Sequence, residues 1–94
     1  MMRKYEFVFV LAKIEDGLKK EVLKKIRDLI EGQKGKIEKE ESWGEKKLAY
    51  RIKKQTEGEY FFYHLELKPE TFAKIEKKIK QEENILRYLF TRVT

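Results

Sequence analysis

The chain has 94 residues, with 23 Lys+Arg against 17 Asp+Glu for a formal charge of +6, and it contains one histidine, one proline and no cysteine. That length suits one domain, expected over residues 1–94, and the missing cysteine excludes disulfide frameworks, iron–sulfur clusters, thiol nucleophiles and cysteine-based zinc sites. Charged residues make up 43% of the chain, yet 40% hydrophobics and 13% aromatics are too many for a disordered segment.

No apolar run approaches the roughly 20 residues of a membrane helix. Phe7-Val8-Phe9-Val10-Leu11-Ala12 is short, and Lys13, Glu15 and Asp16 follow it, which argues against a secretory signal and for a cytoplasmic location. A charge of +6 favours an anionic partner such as nucleic acid. Much of the charge has a second reading. Eighteen Lys and fifteen Glu with four Asn+Gln match the composition of proteins that work at high temperature.

Residues 3–11 read as a strand, with Tyr5, Phe7, Phe9 and Leu11 on one face and Lys4, Glu6, Val8 and Val10 on the other. Glu15-Asp16-Gly17 offers acidic residues and an N-cap. From Leu18 the period lengthens: Leu18, Val22, Ile26, Leu29 and Ile30 mark an amphipathic helix of about four turns, ending at Gly32 or Gly35. Residues 36–53 are extended, with Gly44 as a hairpin turn or as a bulge in one long strand. Gln55-Thr56-Glu57-Gly58 reads as a turn.

The aromatic strand Tyr60–Leu67 follows, with Phe61, Tyr63, Leu65 and Leu67 on its more apolar face. Pro69 suits a first helical position, and Phe72, Ile75 and Ile79 form the stripe of a second helix ending at Glu82-Glu83-Asn84. Ile85 to Val93 is the last strand. The order β-α-β-β-α-β predicts an α+β, ferredoxin-like split β-α-β sandwich: a four-stranded antiparallel sheet with two helices on one face. The other face stays open and carries Val8, Val10, Tyr60, Phe62 and Leu89, an apolar set that marks a contact surface.

Catalysis has little to work with, and no enzyme, cofactor, metal or small-molecule substrate is expected. His64 is alone in mid-strand, Ser42 is the only serine, and the glycines stand apart rather than in a phosphate-cradling loop. Nucleic-acid binding fits better. Aromatics on the central strands could stack bases as in RNA-recognition domains, but Glu57-Gly58 departs from the basic residue expected there and no small residue follows the first aromatic. Arg3, Lys4, Arg87 and Arg92 flank two strands expected to lie side by side. They are the stronger candidates for phosphate, against a plain reading as surface charge.

The opening Met2-Arg3-Lys4-Tyr5-Glu6, the segment from Trp43 to Lys53 with its Leu48-Ala49-Tyr50-Arg51-Ile52, and the aromatic strand after Gly58 together resemble the bacterial small-subunit ribosomal protein S six family. The likeness runs from about Met2 to Val93. Lys46 and Lys47 stand where arginine is common in the family, and Arg51 where proline is common. The resemblance implies the same ferredoxin-like fold, a ribosome-associated cytoplasmic protein, and binding to the central domain of small-subunit ribosomal RNA together with ribosomal protein S eighteen. It also implies phosphate contacts at Arg3, Lys4, Arg87 and Arg92, and partner-protein contacts at Trp43, Leu48, Tyr50, Tyr60 and Phe62. The free chain is expected to be a monomer. A partner-independent single-stranded RNA binder and a ferredoxin-like protein-interaction module are the alternatives.

Overall fold

The computed structural model describes residues 1–93. Its elements are β1 (Arg3–Ala12), α1 (Asp16–Gly32), β2 (Lys36–Ile52), β3 (Gln55–Leu67), α2 (Pro69–Gln81) and β4 (Ile85–Arg92). The four strands form one sheet in the order β2-β3-β1-β4, and every neighbouring pair is antiparallel. This is the ferredoxin-like arrangement that the element order predicts.

The period-2 pattern of β1 places Tyr5, Phe7, Phe9 and Leu11 under the helices, where all four are buried. Val22, Ile26 and Ile30 of α1 and Ile75 and Ile79 of α2 close that layer from above. Rings fill much of it. Phe7 stacks on Phe90 with centroids 4.2 Å apart, and Phe9 stacks on Phe61 at 5.1 Å, an arrangement that adds to the stabilisation from burial alone.

Pro69 occupies the start of α2, where its missing N–H costs nothing, and Thr71 turns its hydroxyl back to donate to the Lys68 carbonyl at 2.8 Å. α1 begins after Glu15, which makes no side-chain cap, so Asp16 in the first turn supplies the favourable negative charge. The helix ends at Gly32. Gly35 lies beyond it, buried, where an added Cβ would come within 2.6 Å of a Leu67 methyl.

Two details differ from or refine the sequence-based expectation. Gly44 is a bulge within one 17-residue strand: its φ is +82°, and the pairing of β2 with β3 shifts register between Ser42 and Gly44. The turn, in contrast, is not at Gln55–Gly58, which is strand. The chain reverses at Lys53-Lys54, whose φ values of +49° and +67° make a two-residue turn between the paired Ile52 and Gln55. Two consecutive left-handed residues give the strands the twist a hairpin needs, a role usually filled by Asn-Gly. Gly58 serves a different purpose. It faces Ala12, and a Cβ there would meet Val10 Cγ1 at 2.5 Å, so its bare backbone lets β3 lie close against β1.

β2 and β3 run past the end of β1, and the molecule measures 40 × 25 × 21 Å. The overhanging hairpin curls toward β4. Leu48 and Ile52 pack with Tyr60 on a small second core of Val10, Ala12 and Leu86. Lys53 Nζ donates to the Ile85 carbonyl at 3.4 Å.

Candidate functional site

The sheet face away from the helices is built by the even residues of β1 and the residues paired with them. Val8 lies between Phe62 and Leu89, and Val10 between Tyr60 and Arg87. Leu89 is 62% exposed, Tyr50 61% and Trp43 48%. Of the apolar set expected on this face, Leu89 is exposed and Val8, Tyr60 and Phe62 are half-buried. Val10 is the exception, because the curled hairpin buries it to 5%.

The Gly44 bulge shapes one half of this face. The extra residue turns Trp43 over β3, where its ring stacks on Phe62 with centroids 5.2 Å apart. The indole N–H donates to Glu41 at 3.1 Å, and Lys39 donates to the other Glu41 oxygen at 2.8 Å. These hydrogen bonds, Lys39 first and Trp43 second, hold the Glu41 carboxyl below its ordinary value of 4.5. Ser42 on the same bulge donates to Glu59 at 2.8 Å and accepts the Gly44 N–H at 3.3 Å.

The other half is shaped by the hairpin. Tyr50 reaches β4, where its hydroxyl accepts from Arg87 at 3.0 Å and its ring lies 5.7 Å under the guanidinium. Cation–π contact and hydrogen bond together orient Arg87, which stays exposed. Tyr50 is thus an exposed residue rather than a core one. Tyr60 and Leu48 belong to the small second core.

The structure does not bring the four candidate phosphate contacts together. Arg87 stands opposite Val10, and Arg92 stands opposite Tyr5 on the other end of the same ladder. They are five positions apart on the strand, about 17 Å at roughly 3.3 Å per residue, and an odd separation puts them on opposite faces. Arg3 lies two residues before Tyr5 and shares the helix-side face with Arg92. Lys4 pairs across β3 with Glu66 on the open face. Arg3, Lys4 and Arg92 therefore lie at one end of the β1–β4 ladder and Arg87 alone toward the other.

His64 is the sole histidine, and its ring lies tilted against Phe62 at 4.9 Å. Among the described residues no group of three or more His, Cys, Asp or Glu side chains could hold a metal ion, and no helix is long and apolar enough to cross a membrane.

A family model described as ribosomal protein S6 matches residues 4–92. The chain belongs to that family. Small ribosomal subunit protein bS6 of Trichlorobacter lovleyi is 34% identical over 95 residues, covering 99% of this chain and 77% of the relative. The bS6 protein of Halalkalibacterium halodurans is 33% identical over 92 residues, covering 97% of each. Among solved structures, the crystal structure of 30S ribosomal protein S6 from Thermotoga maritima superposes with a TM-score of 0.90. That match has 28% identity and covers 99% of this chain and 89% of the other. The S6 family assignment agrees with the likeness carried by the opening residues, by Trp43–Lys53 and by the aromatic strand. The chain is accordingly a small-ribosomal-subunit protein of the S6 type, built on the fold its element order predicts.

Proposed function

We propose that this chain is a structural constituent of the small ribosomal subunit that binds the central domain of small-subunit ribosomal RNA together with ribosomal protein S eighteen. It acts without catalysis and is a monomer when free. The observation that supports this most is the open sheet face, where Trp43, Leu89 and Tyr50 are exposed beside the oriented Arg87. An apolar, aromatic patch with a fixed guanidinium at its margin suits a protein partner that brings RNA to the same edge.

Base stacking of the RNA-recognition type finds less support. That mode needs open aromatic faces on the central strands. Here Trp43 already covers Phe62, and Tyr60 is packed among Leu48, Ile52 and Val10.

The test is an equilibrium binding experiment with a central-domain transcript, the chain alone, and the chain with S eighteen. Tight binding is expected only when both proteins are present, and Leu89→Ala should weaken it. Equal affinity with and without the partner would favour the partner-independent reading. No binding in either case overturns the proposal.

A further inference from the structure

The pairing of charges divides the surface unevenly. On α1, four of the five cations have carboxylate partners: Lys19 with Glu59 at 3.1 Å, Lys24 with Asp28 at 2.7 Å, Lys25 with Glu82 at 3.9 Å, and Arg27 with Glu31 and Glu40. At the hairpin end the pattern reverses. Residues 46–54 hold Lys46, Lys47, Arg51, Lys53 and Lys54 and no carboxylate. Among the described residues none of these five forms an ion pair, while the flanking Glu45 and Glu57 are both taken by Lys13.

The curl of the hairpin turns part of this charge into a concave site. A cavity of about 270 Å³ opens where the turn, the end of α2 and the start of β4 meet. Lys53, Lys80 and Arg87 stand around it, over a floor that includes Ile79, Ile85 and Leu86. Two of the cations are anchored by neutral groups, Lys53 by the Ile85 carbonyl and Arg87 by the Tyr50 hydroxyl. Their charge is therefore oriented and not neutralised. An apolar floor beneath three cations lowers the local dielectric and focuses the field on whatever enters. Other lysines without ion pairs, such as Lys20, Lys74 and Lys77, sit on convex helix surfaces and line none of it.

We infer that Lys53, Lys80 and Arg87 form a phosphate-binding site for the RNA backbone, seated between the Lys53-Lys54 turn, the end of α2 and the start of β4. This rests on the RNA-binding reading above and extends it to two residues, Lys53 and Lys80, and to one location. A phosphodiester spreads one negative charge over two acceptor oxygens, which a guanidinium and two ammonium groups can share. Lys46, Lys47, Arg51 and Lys54 lie on the same hairpin end and steer the strand toward the site.

The test uses the full chain with S eighteen and a central-domain transcript, over about 50–200 mM salt. Each phosphate contact contributes about 0.9 to the slope of log K against log salt on a duplex. Because the three cations share one phosphate, K53Q/K80Q should lose most of that roughly 0.9, and adding R87Q should bring the total loss to no more than about 0.9. K53R/K80R keeps the charge and should keep the slope. K24Q/K25Q, matched in charge but altered at paired lysines, should leave it unchanged. A slope unmoved in K53Q/K80Q, or an equal loss in K24Q/K25Q, overturns the site while leaving RNA binding intact. Failure of the unaltered chain to bind under any condition overturns the site and the RNA-binding reading together.

Discussion

The helix-covered face and the open face of one sheet use the same residue types for opposite ends. Under the helices, Phe7, Phe9 and Leu11 are fully buried, rings stack on rings, and Lys19 and Arg27 of α1 are matched to carboxylates of the sheet. On the open face, Trp43, Tyr50 and Leu89 keep about half or more of their surface in water, and at the hairpin end the cations of residues 46–54 form no ion pair among the described residues. Side chains that are mutually satisfied hold the domain together. Those left unsatisfied are available to something else. Net charge alone hides this division, since +6 is the sum of a nearly balanced body and a basic hairpin end.

The largest expected effect breaks the body. Phe9→Ala should cost about 3–5 kcal/mol in urea unfolding, because it empties a fully buried site between Phe7 and Phe61. Leu89→Ala should stay within about 0.5 kcal/mol, since the side chain is mostly in water. The reverse order would mean that the open face is part of the core.

A smaller effect sharpens the contrast at the turn. Lys53 and Lys54 hold left-handed backbone at a cost of roughly 1–2 kcal/mol per residue, which Asn-Gly would largely avoid. The K53N/K54G variant should unfold about 1 kcal/mol later while its RNA affinity becomes less sensitive to salt. A gain in stability with unchanged salt dependence would mean that the strained lysines serve no RNA contact.

Charge pairing in the body predicts a smaller change still, through the Lys19–Glu59 bridge that ties α1 to β3. The Glu59 hydrogen bond and then its charge raise the Lys19 pKa above 10.5. Stability from this pair is therefore complete below pH 10.5 and is lost as pH rises through the higher folded-state value. Tyr63 and Tyr88, both raised by burial, act in the same window, so the comparison is with Glu59→Gln. That variant should cost less than about 1 kcal/mol at pH 8, and the difference should shrink in thermal unfolding above pH 10.5.

The smallest effect is spectroscopic. Glu41, held below 4.5 by Lys39 and then Trp43, accepts the indole N–H. Its contribution is present above pH 4.5 and disappears as pH falls through the lower folded-state value. Trp43 emission should shift in that acid range and should not shift in Glu41→Gln.

Most of the fold was readable because hydrophobic period and length point the same way. The change from period 2 in residues 3–11 to period 3.6 after Leu18 identifies β1 and α1, and Pro69 marks the start of α2. The turn was hidden for a physical reason. Lys-Lys carries no preference for left-handed backbone, whereas Gly58 looks like a turn residue and in fact relieves a close strand contact. The open face was foreseen through Val8, Phe62 and Leu89, but the burial of Val10 was not, because it depends on the hairpin curling onto β4. The same curl hid the meeting of Lys53, Lys80 and Arg87, which lie on three separate elements. The run of five cations without a carboxylate was the one linear signal for it.

Amide hydrogen exchange of the chain, free and in complex with S eighteen and the central-domain transcript, tests the division of the two faces most directly. The expected result is new protection at residues 46–54, around Trp43 and along β4, with α1 unchanged. Protection concentrated on α1, with residues 46–54 as open as in the free chain, would contradict it.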